Sequence, residues 1–293
     1  LYCYGNSLDT VDVSENDNLT KMNSGGFTAL RVCDKIFSDE IFMEYVSESI
    51  DSDGDGWLSE EECLSVTEID VHDMGIESLD GLYCFTSLES LDCSGNQLET
   101  LELDEHENLR MLDCSDNNLT WLSVMNNRKL ASLYCGNNQL EELDLCYILS
   151  SYLLSESYTE DEFSDDDIPK LEILSCEGNN LAWIEYIWEN TNLWYINCSD
   201  NQLTSLDFWG ENLKELYCSN NYLDSLWVTD SLLLEILDCS DNYLCELNID
   251  YNNKLTELYC TGNSFTELDL SSNTELEIYV VDESVTLYLP TSE

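Results

Sequence analysis

The 293-residue chain has little positive charge: nine lysines and arginines stand against 62 aspartates and glutamates, for a formal charge of −53. A phosphate backbone and an anionic membrane are both bound by basic surfaces, so nucleic acid and membrane are excluded as partners, and cations or basic protein patches fit better. Self-repulsion on this scale makes bound divalent ions or salt important to the folded state. Histidine occurs only twice, as His72 and His106. Neither stands in a motif with a nucleophile, no glycine-rich loop is placed to cradle phosphate, and the abundant carboxylates read as solvated faces, so the chain is expected not to be an enzyme. No apolar run is long enough to cross a bilayer, and there is no signal peptide and no initiating Met, which reads as a mature product or a piece of one.

Cysteine, by contrast, is plentiful and regular. Of fourteen, nine (Cys3, Cys93, Cys114, Cys135, Cys176, Cys198, Cys218, Cys239 and Cys260) hold one position in a recurring phrase, Leu-x-Cys-x-x-Asn-x-Leu-x-x-Leu, as in LDCSGNQLETL (91–101) and LDCSDNYLCEL (237–247). Most lie 20 to 22 residues apart, the period of an α/β leucine-rich-repeat solenoid with a ladder of parallel strands on its concave face. Neighbouring strands lie about 4.8 Å apart with parallel Cβ vectors, so the sulfurs run side by side and a column of free thiols, not disulfides, is expected. Cys146 and Cys245 lie off the column and should be the reactive ones.

Three regions follow from the repeats. Residues 1–36 read as the end of an upstream repeat plus a linker, 37–65 as a cap, and 66–293 as the solenoid, with an acidic insertion near 146–170 and a C-terminal strand that caps the far end. In the cap, FSDEIFMEYVSESI (37–50) is an amphipathic helix with Ser38 as N-cap. DSDGDGWLSEEE (51–62) then matches an EF-hand loop: Asp51, Asp53 and Asp55 at positions 1, 3 and 5, Gly56 at the turn, the Trp57 carbonyl at 7, Ser59 at 9 and Glu62 at 12, which is a set of hard oxygen ligands for calcium. The acidic insertion reads first as disorder or a degenerate repeat, and otherwise as a binding loop or a weak second cation site through Asp165, Asp166 and Asp167.

Residues flanking the buried leucines of each strand point outward. That places Tyr134, Trp194, Tyr195, Tyr217 and Tyr259 on the exposed strand face, where rigid rings suit protein or sugar binding. Trp121, Trp183, Trp209 and Trp227 fall in the return half of their repeats and are expected to pack.

FSDEIFMEYVSESIDSDGDGWLSEEE followed by VTEIDVHDMGIESLDGLYCFTSLESLDCSGNQLETL resembles the cell-surface leucine-rich-repeat proteins of anaerobic Gram-positive bacteria, relatives in architecture of the internalins. The resemblance implies secretion, display at the cell surface, and adhesion or protein binding through the concave face, with calcium held by Asp51, Asp53, Asp55, Trp57, Ser59 and Glu62. Two alternatives stay open: head-to-tail stacking of solenoids into a filament or scaffold, and a cellulosome-type docking component, which would normally carry two calcium loops.

Overall fold

The computed structural model describes residues 29–31, 36–146, 171–206, 208 and 210–290. The repeat expected over 1–22, the acidic insertion with Asp165–Asp167, Trp209 and Cys3 lie outside the described residues.

The chain runs β1 (Ala29–Arg31), α1 (Glu40–Ser49), β2 (Trp57–Ser59), α2 (Glu60–Ser65), β3 (Glu68–Asp70), β4 (Ser90–Asp92), β5 (Met111–Asp113) and β6 (Ser132–Tyr134). It continues through β7 (Leu143–Asp144), β8 (Ile173–Ser175), β9 (Ile184–Glu185), β10 (Tyr195–Asn197), β11 (Glu215–Tyr217) and β12 (Ile236–Asp238). Last come β13 (Glu257–Tyr259), β14 (Glu267–Asp269), β15 (Ile278–Val280) and β16 (Thr286–Tyr288). Ten strands form one sheet in the order β15-β13-β12-β11-β10-β8-β6-β5-β4-β3. The pairings are parallel and in register, so Leu91, Leu112, Leu133 and Leu174 share one row. β7–β9 and β14–β16 are short parallel pairs in the return half of the repeats. The chain is a leucine-rich-repeat solenoid.

In the ten-stranded sheet, each strand from β3 to β13 is three residues with the middle one buried, because successive side chains on a strand alternate faces. The cysteine that follows is buried from Cys93 to Cys260, and every described cysteine is a free thiol. Burial pushes these thiols up, Cys198 and Cys260 to about 12, so they behave as small apolar groups and not as nucleophiles. Cys146 corrects an expectation: it is buried, leaving Cys245 exposed and Cys63 partly so.

The Asn of the phrase explains the sharp turn after each strand. Asn117 Nδ2 donates to the carbonyls of Cys93 (2.9 Å) and Cys114 (3.2 Å), while its Oδ1 accepts from Leu98 N–H (2.9 Å). The same set recurs at Asn138, Asn201, Asn221 and Asn242. One amide carries both donor and acceptor, so a single side chain ties each repeat to the one before it. One residue earlier the backbone is left-handed, with φ of 52° to 56° at Asp116, Asn137, Asp200, Asn220 and Asp241 and 65° to 69° at Gly95, Gly178 and Gly262. Only Gly, Asn and Asp adopt that conformation readily, and only they occupy the column.

A second amide ladder, missed from the sequence, runs through the return half. Asn127, Asn252 and Asn273 each donate to two backbone carbonyls of the preceding repeat at 2.8 to 3.1 Å. His106 takes the equivalent place, fully buried with Nε2 3.1 Å from the Leu82 carbonyl. Its irregular spacing across the insertion hides it from a search for repeats.

The cap end differs from expectation in two details. Asp39, not Ser38, is the N-cap, accepting from Ile41 N–H (2.9 Å) and Phe42 N–H (3.0 Å). Ser38 instead donates to Asp80 (2.7 Å), and Asp39 also accepts from Glu77 N–H (2.8 Å), so both residues fasten the helix to the first turn of the solenoid. Within 23–36, expected as linker, residues 29–31 form a strand antiparallel to β2. At the far end β15 is the edge strand of the sheet, pairing with β13, and β16 pairs with β14.

Candidate binding face and acidic loop

Alternation along the three-residue strands sets two outward columns. One carries Ser90, Met111, Ser132, Ile173, Tyr195, Glu215, Ile236 and Glu257, and the other Asp92, Asp113, Tyr134, Ser175, Asn197, Tyr217, Asp238 and Tyr259. Asp92, Asp113 and Asp238 are tied up in structure: each accepts from the backbone N–H and hydroxyl of the serine two residues on. Their carboxylates hold the turn leading into the Asn ladder.

The rings expected on this face are there, each partly exposed. Trp194 meets Tyr195 edge-on at 5.8 Å, and Tyr195 meets Tyr217 at 5.7 Å, across the β10–β11 boundary. Tyr134 and Tyr259 share the column of Tyr217 but stand on β6 and β13, apart from that cluster. Around the rings lie Glu177, Glu215 and Glu257. Tyr217 donates to Glu215 Oε2 at 3.2 Å and Tyr259 to Glu257 Oε2 at 2.9 Å. Burial, then the charge of Glu215, raises Tyr217 to about 12. The bond to Glu257 raises Tyr259. Both phenols are therefore neutral donors at physiological pH.

The return side corrects the sequence reading. Trp121, Trp183 and Trp227 are 58%, 49% and 62% exposed instead of packed. Tyr222 and Tyr243, one residue after their ladder asparagines, are exposed and stacked at 6.0 Å with 9° between the rings. Their signal was the Asn-Tyr-Leu that replaces Asn-x-Leu in two successive repeats.

In the acidic loop, Asp51, Asp53 and Asp55 each bring a carboxylate oxygen within 4.8 Å of the others, and Asp51 is buried. Gly54 and Gly56 N–H both donate to Asp51, at 2.9 Å. Their φ of +70° and +81° is the reason glycine is needed at the turn. This all-oxygen set fits a hard cation. Asp53 is raised: the hydrogen bond from Asp55 N–H lowers it, but desolvation and the charges of Asp55, Glu62 and Asp51 outweigh that. Glu62 stands apart. Its oxygens accept from Ser52 N–H and hydroxyl (2.8 and 2.7 Å) and from Ser59 N–H and hydroxyl (2.9 and 2.8 Å), closing a capping box on α2. Desolvation opposes ionisation there, yet these bonds win and bring Glu62 down to about 2. Trp57 pairs with Arg31 in the β1–β2 register. Three of the six expected ligand residues are thus gathered, and Ser59 and Glu62 are engaged with each other.

The two histidines have structural partners. His72 Nδ1 lies 2.6 Å from Asp70 Oδ1 beside Asp92, which raises His72 and lowers Asp70. His106 belongs to the core, and burial lowers it.

No protein-family profile and no curated protein matches the chain. Solved structures do. The functional domain of InlJ from Listeria monocytogenes, which includes a cysteine ladder, aligns with a TM-score of 0.63 at 25% identity over 87% of this chain and 62% of that one. A leucine-rich-repeat protein of Leptospira interrogans aligns with a TM-score of 0.59 at 21% identity, over 79% of this chain and 58% of that one. Internalin C2 of Listeria monocytogenes gives 0.58 at 16% identity, over 87% of this chain and 98% of that one. The chain therefore spans less than two thirds of the InlJ and Leptospira structures. These likenesses establish the leucine-rich-repeat fold.

Proposed function

We propose that the chain is an extracellular, non-enzymatic adhesion module that holds a protein or glycan ligand on the strand face of its solenoid. One observation carries this: Trp194, Tyr195 and Tyr217 form a contiguous ring cluster on the solvent side of the sheet, where large rigid groups give contact area at little entropic cost. The internalin-type neighbours support a binding role and a surface or secreted location, and no helix among the described residues is long and apolar enough to cross a membrane. Both histidines are committed to structure and the column thiols are held neutral by burial, which supports the non-enzymatic reading.

The test replaces Tyr195, Tyr217 and Tyr259 together with Ser. A ligand captured on the immobilised chain and then purified should bind the triple variant at least about tenfold more weakly, with the thermal transition unchanged. Undiminished affinity overturns the strand face as the site; an equal loss of stability shows the rings to be packing.

We further infer that the loop at 51–62 binds calcium and staples the cap. The convergence of Asp51, Asp53 and Asp55 around two left-handed glycines supports it. Terbium in place of calcium should luminesce on excitation of Trp57, and Asp51→Ala should abolish that signal together with the cation's stabilising effect. Terbium binding to Asp51→Ala as to the parent would leave the loop a solvated turn.

A second reading, head-to-tail stacking, is favoured by the far edge of the sheet, where Ile278, Tyr279 and Val280 are 43% to 45% exposed. Electron microscopy of the purified chain decides: fibres support stacking, and dispersed monomers sink it.

A further inference from the structure

Two strands of the sheet carry the same tripeptide, Glu-Leu-Tyr, at 215–217 and 257–259. The leucine of each is buried, so the glutamate and tyrosine stand side by side on the solvent face, joined by the hydrogen bonds of 3.2 and 2.9 Å. In each pair the phenol fixes one carboxylate oxygen, Oε2, and leaves Oε1 open. A carboxylate held next to the side of an aromatic ring is the chemistry that receives an arginine or lysine: the charge is met by the carboxylate and the flat or methylene part by the ring. Among the described residues no ion pair supplies such a cation. The described ion pairs are His72 with Asp70, Arg110 with Glu89 and Lys254 with Glu275, and none reaches Glu215 or Glu257.

The register adds a spacing. Glu215 pairs with Ile236 and Ile236 with Glu257, so one strand separates the two pairs. At about 4.8 Å per strand they lie about 10 Å apart, with apolar Ile236 between them and Tyr195 adjoining Tyr217. Along an extended segment, same-face side chains recur at about 7 and 13 Å, which does not match. On a helix, residues i and i+7 lie on one face about 10.5 Å apart, with i+3 and i+4 between them.

We propose that Glu215–Tyr217 and Glu257–Tyr259 are twin receptors for two basic side chains of a protein partner, borne two turns apart on a helix that lies along the solenoid with an apolar residue over Ile236. The proposal rests on the strand face being the binding face and names what that face selects. The charge of −53 steers such a partner inward, and the twin receptors give it a register.

The test uses two fluorescently labelled alanine-based helical peptides of one composition. One has arginines at i and i+7 with leucine at i+4; the other has arginines at i and i+5, which point away from each other. At about 0.15 M salt, where exposed long-range attraction is largely screened, the first should bind the intact chain at least about tenfold more tightly than the second. Glu215→Gln with Glu257→Gln should erase that preference, and Tyr217→Phe with Tyr259→Phe should weaken it several-fold by freeing the carboxylates. Glu99→Gln with Glu141→Gln, on the return side, removes equal charge and should change affinity less than about twofold. No binding of the first peptide, equal binding of both, or an equal loss in the control variant overturns the proposal. A purified natural ligand that is lost with Tyr195→Ser and Tyr217→Ser but kept by the double glutamine variant leaves the strand face as the site and removes the cation receptors alone.

Discussion

At one end of the ten-stranded sheet, β3 follows a cap whose Phe37 and Phe42 are fully buried, meeting edge-on at 5.8 Å, with Phe37 stacked on Phe85 of the first repeat at 6.5 Å. At the other end β15 ends the sheet with all three side chains exposed. A repeat contributes through its own packing and through its two interfaces, so an end repeat has lost half of its interface energy unless something else covers it. The cap supplies that cover with aromatic rings and with the hydrogen bond that Glu77 N–H donates to the Asp39 carboxylate. The far turn keeps strand pairing but little burial. One repeat chemistry therefore supports two stabilities, and disruption should cost most near the cap and in the interior and least at the far edge.

The largest expected effect is at Phe42. Phe42→Ala empties a fully buried site in the aromatic joint and should cost about 3–5 kcal/mol in denaturant unfolding. Hydrogen exchange should accelerate first in β3, β4 and β5. Unchanged protection there would mean that the cap does not support the sheet.

This joint shows how much the sequence discloses. The solenoid was legible from Leu-x-Cys-x-x-Asn because one register recurs and each recurrence is independent support. The helix around Phe42 was legible from its apolar period. Its N-cap was not, since Ser38 and Asp39 are both good caps and the choice depends on Asp80 and Glu77, some forty residues away. The rings of the strand face were placed by alternation alone, yet Trp121, Trp183 and Trp227 were misjudged, because no period separates an inward from an outward ring in an irregular return loop. Glu62 was read as a ligand by position, while its pairing with Ser52 and Ser59 depends on how the loop folds back.

Next in size is the interior amide ladder. Asn221→Ala strands the Leu203 N–H and leaves the carbonyls of Cys198 and Cys218 without that donor, all buried, and should cost about 2–3 kcal/mol. Asn263, only partly buried beside the far end, should cost about 1 kcal/mol on the same change. Equal losses would break the contrast between interior and edge.

Acid should expose the cap end before the rest. His106 is lowered by burial, so it stabilises the fold above the unfolded-state value near 6.5 and that contribution is lost as pH falls below it. Glu62, brought down to about 2, contributes above about 4.3 and loses that contribution between there and about 2. Thermal melts from pH 7 to pH 2 should show both declines. His106→Asn, the residue of the equivalent ladder positions, should remove the upper one, and Glu62→Gln the lower; melts of the two variants that follow the parent at every pH would refute the assignment.

Thiol chemistry separates the regions without altering stability. In denaturant nearly all fourteen cysteines should react with a thiol reagent. In the folded chain Cys245 should react fast and Cys63 slowly, because Cys63 is partly exposed but raised to about 11, burial being the main cause. Fast reaction at Cys114 or Cys218 would mean that the interior opens as readily as an edge.

The smallest expected effect is at the far edge itself. Ile278 is 45% exposed on the edge strand of the sheet formed by the described residues, so Ile278→Lys removes almost no buried area and should change unfolding free energy by no more than about 0.5 kcal/mol. The same lysine places a charge on an open strand edge, which blocks edge-to-edge addition of another sheet. If the parent forms concentration-dependent assemblies in sedimentation, the variant should stay monomeric with its melting temperature intact. Assembly that persists with lysine at 278 moves the contact elsewhere, and a loss of stability approaching that of Asn221→Ala would show that this edge is as well packed as the interior and that the asymmetry between the two ends does not exist.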